Sequence, residues 1–140
     1  MSKDIKKSIK TENIQQNDSL NVSSKYAKAK ISPRKVVDVV AEIRNKPAGE
    51  AMNYLKFNPR KAANLVHGVL KSALANAFDK HNLDTKDLYI KEVHVGPGPT
   101  RGWRRFAAKG RIKPIKKRTS NITVVLGAVN SSKKQGGSSE

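Results

Sequence analysis

LYIKEVHV at 88–95, GPGPTRGWRRFAAKGRIKPIKKR at 96–118 and TSNITVVL at 119–126 are three consecutive stretches that decide how this chain folds. The outer two are rich in β-branched and aromatic residues and read as strands, the second with Ile122, Val124 and Leu126 on one face. The middle stretch holds nine Lys or Arg and no Asp or Glu. Its apolar alternation stops beyond Val95. Pro97, Pro99 and Pro114 have no ladder donor, and Gly96, Gly98, Gly102 and Gly110 weaken any strand. The flanks therefore predict the base of an antiparallel hairpin over about residues 88–126, and the middle predicts an arm that leaves the body. Each limb has about ten residues and reaches roughly 30 Å at strand rise. An isolated two-stranded ribbon is marginal in water. The tip, around residues 102–110, is expected to be mobile in the free protein and to order only on a partner.

Upstream, KYAKAKI at 25–31 alternates with a period of two and predicts a half-exposed strand, with Ala27, Ala29 and Ile31 inward and Lys28 and Lys30 outward beside Tyr26. Ser32-Pro33 predicts a helix start, Ser as N-cap and Pro in the first turn. Val36, Val39, Val40 and Ile43 follow at helical spacing. Pro47 opens a second, short helix through Ala51, Met52 and Leu55 to about Lys56. Asn58-Pro59 repeats the cap-plus-proline signal before a long helix to about Lys80. Its broad apolar face comprises Ala62, Leu65, Val66, Val69, Leu70, Ala73, Leu74, Ala77 and Phe78, with the alanines and Gly68 allowing close approach. The helices come as one block, so the fold class is α+β: a small three-stranded antiparallel sheet packed on three helices, with a long protruding β-hairpin.

The chain has 140 residues, 29 basic against 11 acidic, and a net charge of +18. Such an excess opposes compaction and calls for a polyanionic partner, nucleic acid before an anionic membrane surface. There is no cysteine, so disulfides and thiolate metal sites are excluded. No apolar run approaches the roughly 20 residues needed to span a bilayer, and no membrane partner is expected. Residues 1–24 carry no apolar core of a signal peptide and are expected to be disordered. The Ser-, Lys- and Gly-paired tail at 130–140 is expected to be disordered too, leaving one domain over 25–129.

Arg101, Arg104, Arg105 and Arg111 have the planar fork that grips phosphate and stacks on bases. Lys109, Lys113, Lys116 and Lys117 add less directional charge, and Arg118 closes the run. Trp103 and Phe106 are large rings in a charged loop, suited to stacking on unpaired bases as in recognition of irregular RNA. Against this stand a merely solvated basic segment and, for Trp103, a tether folding back on the body. In the body, Arg34 and Lys35 occupy the first turn of the first helix, where cations oppose the helix dipole unless an anion lies nearby. Arg60 and Lys61 repeat that placement at the third helix.

Four strings in this order carry a resemblance to a known family: AKISPRKVVDVVAEIRNKPAGEA at 29–51, KAANLVHGVLKSALANA at 61–77, IKEVHVGPGP at 90–99 and AKGRIKPIKKRTSNITVVL at 108–126. The chain resembles the large-subunit ribosomal protein numbered twenty-two, in its bacterial-type form, collinearly over about residues 25–126. The resemblance implies a compact α+β body docked on large-subunit ribosomal RNA, bound as a monomer within the ribosome and supporting subunit assembly. It implies a long β-hairpin passing between RNA segments to line the nascent-peptide exit tunnel. There the hairpin meets the nascent peptide and shares a constriction with the number-four protein of the large subunit. Positions matching the tip are about residues 101–111. Matching RNA contacts in the body are Lys28, Lys30, Ser32, Arg34, Lys35, Arg60 and Lys61. The chain departs from the common pattern at Gly96, Pro97 and Asn121 and carries a bulkier GWRRF at the tip. No cofactor is implied, and the expected site is cytoplasmic, on the ribosome.

An enzyme is not expected. His67, His81 and His94 show no metal-ligand spacing, and no Ser or carboxylate pairing stands out. GPGP lacks the GK[ST] and following helix of a phosphate-cradling loop. The competing reading is an architectural DNA-binding protein whose basic β-arm enters a minor groove. It requires duplex DNA as partner and usually a dimer, and the sequence offers no obvious dimer seam.

Overall fold

A computed structural model describes residues 21–128. It contains β1 (Val22–Ala29), α1 (Pro33–Ile43), α2 (Ala48–Phe57), α3 (Lys61–His81), β2 (Leu88–Pro97), β3 (Arg101–Phe106), β4 (Ile112–Lys117) and β5 (Ser120–Ala128). The α+β class holds, and the strands divide into two sheets. An antiparallel sheet of order β1-β5-β2 forms the body, and β3 pairs with β4 alone. The expectations for residues 1–20 and 129–140 lie outside the described residues.

The body is one sheet covered by helices. Long α3 crosses β1 and β5, while α1 packs on α3 and β2, and α2 on α3. In the central strand, Ser120, Ile122, Val124 and Leu126 are all buried, as alternation requires of an inward face. Strand β2 buries Leu88 and Ile90, slips register between Ile90 and Glu92, and then buries Val93. One extra residue in the bulge restores the inward face after a change of parity. The outer edge of β2 is covered by the α1–α2 loop, where Asn45 N–H donates to the Ile90 carbonyl at 3.2 Å and Ile90 N–H to the Lys46 carbonyl at 3.0 Å. That cover removes a free pairing edge.

Several sequence expectations need correction. Strand β1 starts at Val22, which is buried, three residues before the predicted start at Lys25. Ala27 is exposed rather than inward. The cause is a register irregularity between Tyr26 and Ala29, where Lys28 takes a left-handed φ of 58° and the period of two breaks. Ser32 occupies the N-cap of α1 with extended backbone, but its hydroxyl makes no capping hydrogen bond. For α3 the N-cap is Arg60. Asn58 turns the chain before it, its Oδ1 accepting the Arg60 N–H at 3.1 Å, so Pro59 precedes the helix. Phe78 is 57% exposed, and Gly68 has open space where a Cβ would stand. The packing face of α3 is narrower than its apolar residues suggest and is built largely of Ala62, Ala63, Ala73 and Ala77 around Val66, Val69 and Leu70.

Candidate nucleic-acid interface

The β3–β4 ribbon has no core. All twelve of its residues are exposed. Its ladder runs from Arg101 opposite Lys117 to Phe106 opposite Ile112. Pro114 faces Arg104 and is tolerated because a two-stranded ribbon leaves both outer edges without a ladder partner. The turn is closed by the Ala107 N–H on the Arg111 carbonyl at 2.8 Å. Lys109 and Gly110 sit at φ of 60° and 70°, and the second position suits glycine. Opposed residues share a face. Trp103, Ile115, Arg101, Lys117, Arg105 and Lys113 therefore lie on one side, and Phe106, Ile112, Arg104, Pro114, Gly102 and Lys116 on the other. The two rings treated together in the sequence thus point away from each other. Trp103 is 62% exposed with the Lys117 ammonium 4.9 Å from its ring centre, and Phe106 is 83% exposed. Lys117 sits on the same face as Trp103, within diagonal reach, and the cation–π contact orients the indole without covering it.

Where the arm leaves the body lies a cleft of about 1350 Å³. One wall is the body: Lys28 and Lys30 from the end of β1, Ser32 and Lys35 from the start of α1, Arg60 and Lys61 from the start of α3. The other wall is the base of the arm: Arg101, Lys116, Lys117 and Arg118, with Pro99 and Thr119. Asp38 is the single acid among the lining residues. Neither α1 nor α3 has an acid in its first turn. Both helices thus bring an uncompensated positive end to a cleft already ringed with cations. Unoccupied, this arrangement is repulsive at close range. A phosphate backbone running through it gains charge-assisted hydrogen bonds from forks and ammonium groups and two helix termini as well.

The remaining sequence-predicted residues fall into two places. Arg34 lines a smaller groove of about 490 Å³ at the arm's root, with Pro97, Gly98 and Thr100, while Ser32, Lys116, Arg118 and Thr119 line both cavities. Trp103, Arg104, Arg105, Phe106, Lys109, Arg111 and Lys113 line neither cavity and stand exposed along the ribbon. The sequence reading missed Pro99, Thr119 and Asp38 as cleft residues. Only their position next to the basic run marked the first two, and nothing in the pattern marked Asp38. Among the described residues no group of three or more His, Asp or Glu could hold a metal ion, and no helix is long and apolar enough to cross a membrane.

Comparison with known proteins matches this sequence to one family. The model of ribosomal protein L22p/L17e matches residues 24–127. Large ribosomal subunit protein uL22 of Caldicellulosiruptor saccharolyticus is 52% identical over 98 residues, covering 70% of this chain and 80% of that protein. The protein of the same name from Halothermothrix orenii is 42% identical over 113 residues, 81% of this chain and 95% of its own length. That of Ligilactobacillus salivarius is 49% identical over 108 residues, 75% and 94% respectively. The matched span takes in the sheet, the three helices and the ribbon, and this chain belongs to the ribosomal protein L22p/L17e family.

Proposed function

We propose that this protein is a structural, non-enzymatic constituent of the large ribosomal subunit. In this reading it docks on large-subunit ribosomal RNA through the basic cleft and extends its β3–β4 ribbon between RNA segments to the wall of the nascent-peptide exit tunnel. The observation that carries the reading is the convergence of Lys28, Lys30, Lys35, Arg60 and Lys61 with Arg101, Lys116, Lys117 and Arg118 on one cleft beside a single acid. The names of the relatives support the large subunit as the place of assembly. Body and ribbon then have separate tasks. The cleft supplies affinity by neutralising phosphates. The exposed rings on opposite faces of the ribbon suit a slot with RNA or protein on both sides, one side stacking on Trp103 and the other on Phe106. The number-four protein of the large subunit and the passing nascent peptide are the neighbours this reading gives the tip.

The subunit assignment is tested by sedimentation of the native protein in low and moderate salt. Co-migration with the large ribosomal subunit is expected, and recovery with the nucleoid would favour DNA as the partner. The cleft and the groove beside it are tested together by charge reversal. Arg34→Glu with Lys35→Glu should weaken binding to large-subunit RNA and lower the salt slope by about 1–2 units, the counterion release of two phosphate contacts. An unchanged slope removes these two residues from the interface.

A further inference from the structure

The arm joins the body through a seam where side chains take over from the ladder. Pairing of β2 with β5 ends at Pro97 opposite Ser120, and pairing of β3 with β4 begins at Arg101 opposite Lys117. Gly98, Pro99 and Thr100 span the gap on the outgoing side, and only Arg118 and Thr119 on the return. The unequal count breaks register, and Pro99 has no N–H to give. Two hydrogen bonds lie in the seam, and two more brace the ends of the body strands beside it. Gly98 N–H donates to the Thr119 carbonyl at 2.9 Å, and the Thr119 hydroxyl donates to the Pro99 carbonyl at 2.7 Å. The Asn121 amide nitrogen donates to the Pro97 carbonyl at 3.3 Å, while its Oδ1 accepts the Lys28 N–H at 2.9 Å. Gly98 lies so close that a Cβ there would overlap the Thr119 hydroxyl oxygen and stand 3.3 Å from the Thr119 Cβ.

We propose that Thr119, with Asn121 bracing the root beneath it, is a positioning residue that sets the angle between arm and body, and so holds the two walls of the basic cleft facing one another at a spacing that admits a phosphate backbone. The inference rests on the RNA-docking reading. Cations of like sign on both walls push the arm outward until an anion enters. Pro99 gives no ladder bond, so beside the single Gly98–Thr119 backbone bond the Thr119 hydroxyl is what resists that push in the seam. Asn121 acts at the root. It holds the N–H of Lys28, a residue in a left-handed conformation that brings a cation to the body wall, and with the same side chain it holds the end of β2, from which the arm departs. One amide thus ties the body wall to the root of the arm.

Because the chain has no cysteine, Lys80→Cys on α3 and Lys116→Cys on β4 provide unique sites for a pair of spin labels in the full-length protein. Pulsed dipolar spectroscopy of the free protein should give one narrow distance distribution. Thr119→Val, which keeps the shape and removes the donor, should broaden it, and Thr119→Ser should leave it narrow. Gly98→Ala, which pushes a methyl into the hydroxyl, should displace or broaden it independently. Without the labels, Thr119→Val should weaken binding to transcribed large-subunit ribosomal RNA about five-fold, the population shift expected for one lost hydrogen bond. A distribution that stays narrow and unmoved in both Thr119→Val and Gly98→Ala overturns the proposal. So does a broadened distribution with unchanged RNA affinity. Absence of RNA binding by the unsubstituted protein would instead overturn the docking reading, and the label distances would still judge the clamp.

Discussion

Strand β5 buries four residues in alternation, Ser120, Ile122, Val124 and Leu126, whereas β4, which ends two residues before it, buries none of its six. Both are antiparallel strands with a paired neighbour, so backbone hydrogen bonding does not separate them. What separates them is what lies on their faces. The inward side of β5 meets α3 and α1, and removal of that apolar surface from water stabilises it by roughly 1.5–3 kcal/mol for each large side chain. Neither face of β4 is covered by another element, and its side chains are cations, a proline and two exposed isoleucines. The difference teaches that the body carries its own stability, whereas the ribbon has its ladder but no buried surface to add to it.

Substitution in the body should have the largest effect. Ile122→Ala removes a fully buried side chain beneath α3 and should lower unfolding free energy by about 2–5 kcal/mol in denaturant titration. Next comes the arm. Excision of residues 102–110 should leave the thermal transition of the body in place and preserve binding to RNA through the cleft. Unfolding of that variant would mean that the ribbon belongs to the core. Within the ribbon, Trp103→Ala should shift stability by no more than about 0.5 kcal/mol, the range of surface substitutions, yet weaken the RNA complex by roughly 1–3 kcal/mol if the ring stacks on a base. Equal small effects on both quantities would show that the indole is a bystander. The smallest effect concerns the root. Ser120 is fully buried and its hydroxyl has no hydrogen-bond partner among the described residues. Ser120→Ala should therefore be neutral or stabilising by up to about 1 kcal/mol, because the hydroxyl is desolvated without return.

Much of the body was legible because its physics is periodic. Val36, Val39, Val40 and Ile43 sit at helical spacing and are all buried, and the 122/124/126 alternation marks the inward face of β5. The parity change in LYIKEVHV, apolar at 88 and 90 and then at 93 and 95, is the bulge itself written in sequence. Strand β1 misled because its period is broken by a backbone conformation at Lys28 that lysine does not advertise. The opposite facing of Trp103 and Phe106 follows from their odd spacing once the ribbon is known to be regular, but the glycines and prolines around them argued against regularity. The cleft was legible only in pieces. Its walls come from residues near 30, 60 and 117, and no local pattern says that the ends of β1, α1 and α3 meet the base of the arm. Family resemblance pointed to the same body residues, and the geometry brings most of them into one cleft, with Arg34 in the neighbouring groove. Thr119 and Asn121 carried no periodic signal, only a place beside the basic run and, for Asn121, a departure from the family pattern, because a side chain that substitutes for a missing ladder bond has no periodicity to reveal it.

The contrast between body and ribbon is tested most directly by amide hydrogen exchange, read residue by residue in the free protein and in its complex with large-subunit ribosomal RNA. Strong protection along β5 and β2 in both states, with protection across residues 102–110 appearing only in the complex, is the predicted result. Strong protection of residues 102–110 in the free protein would contradict it.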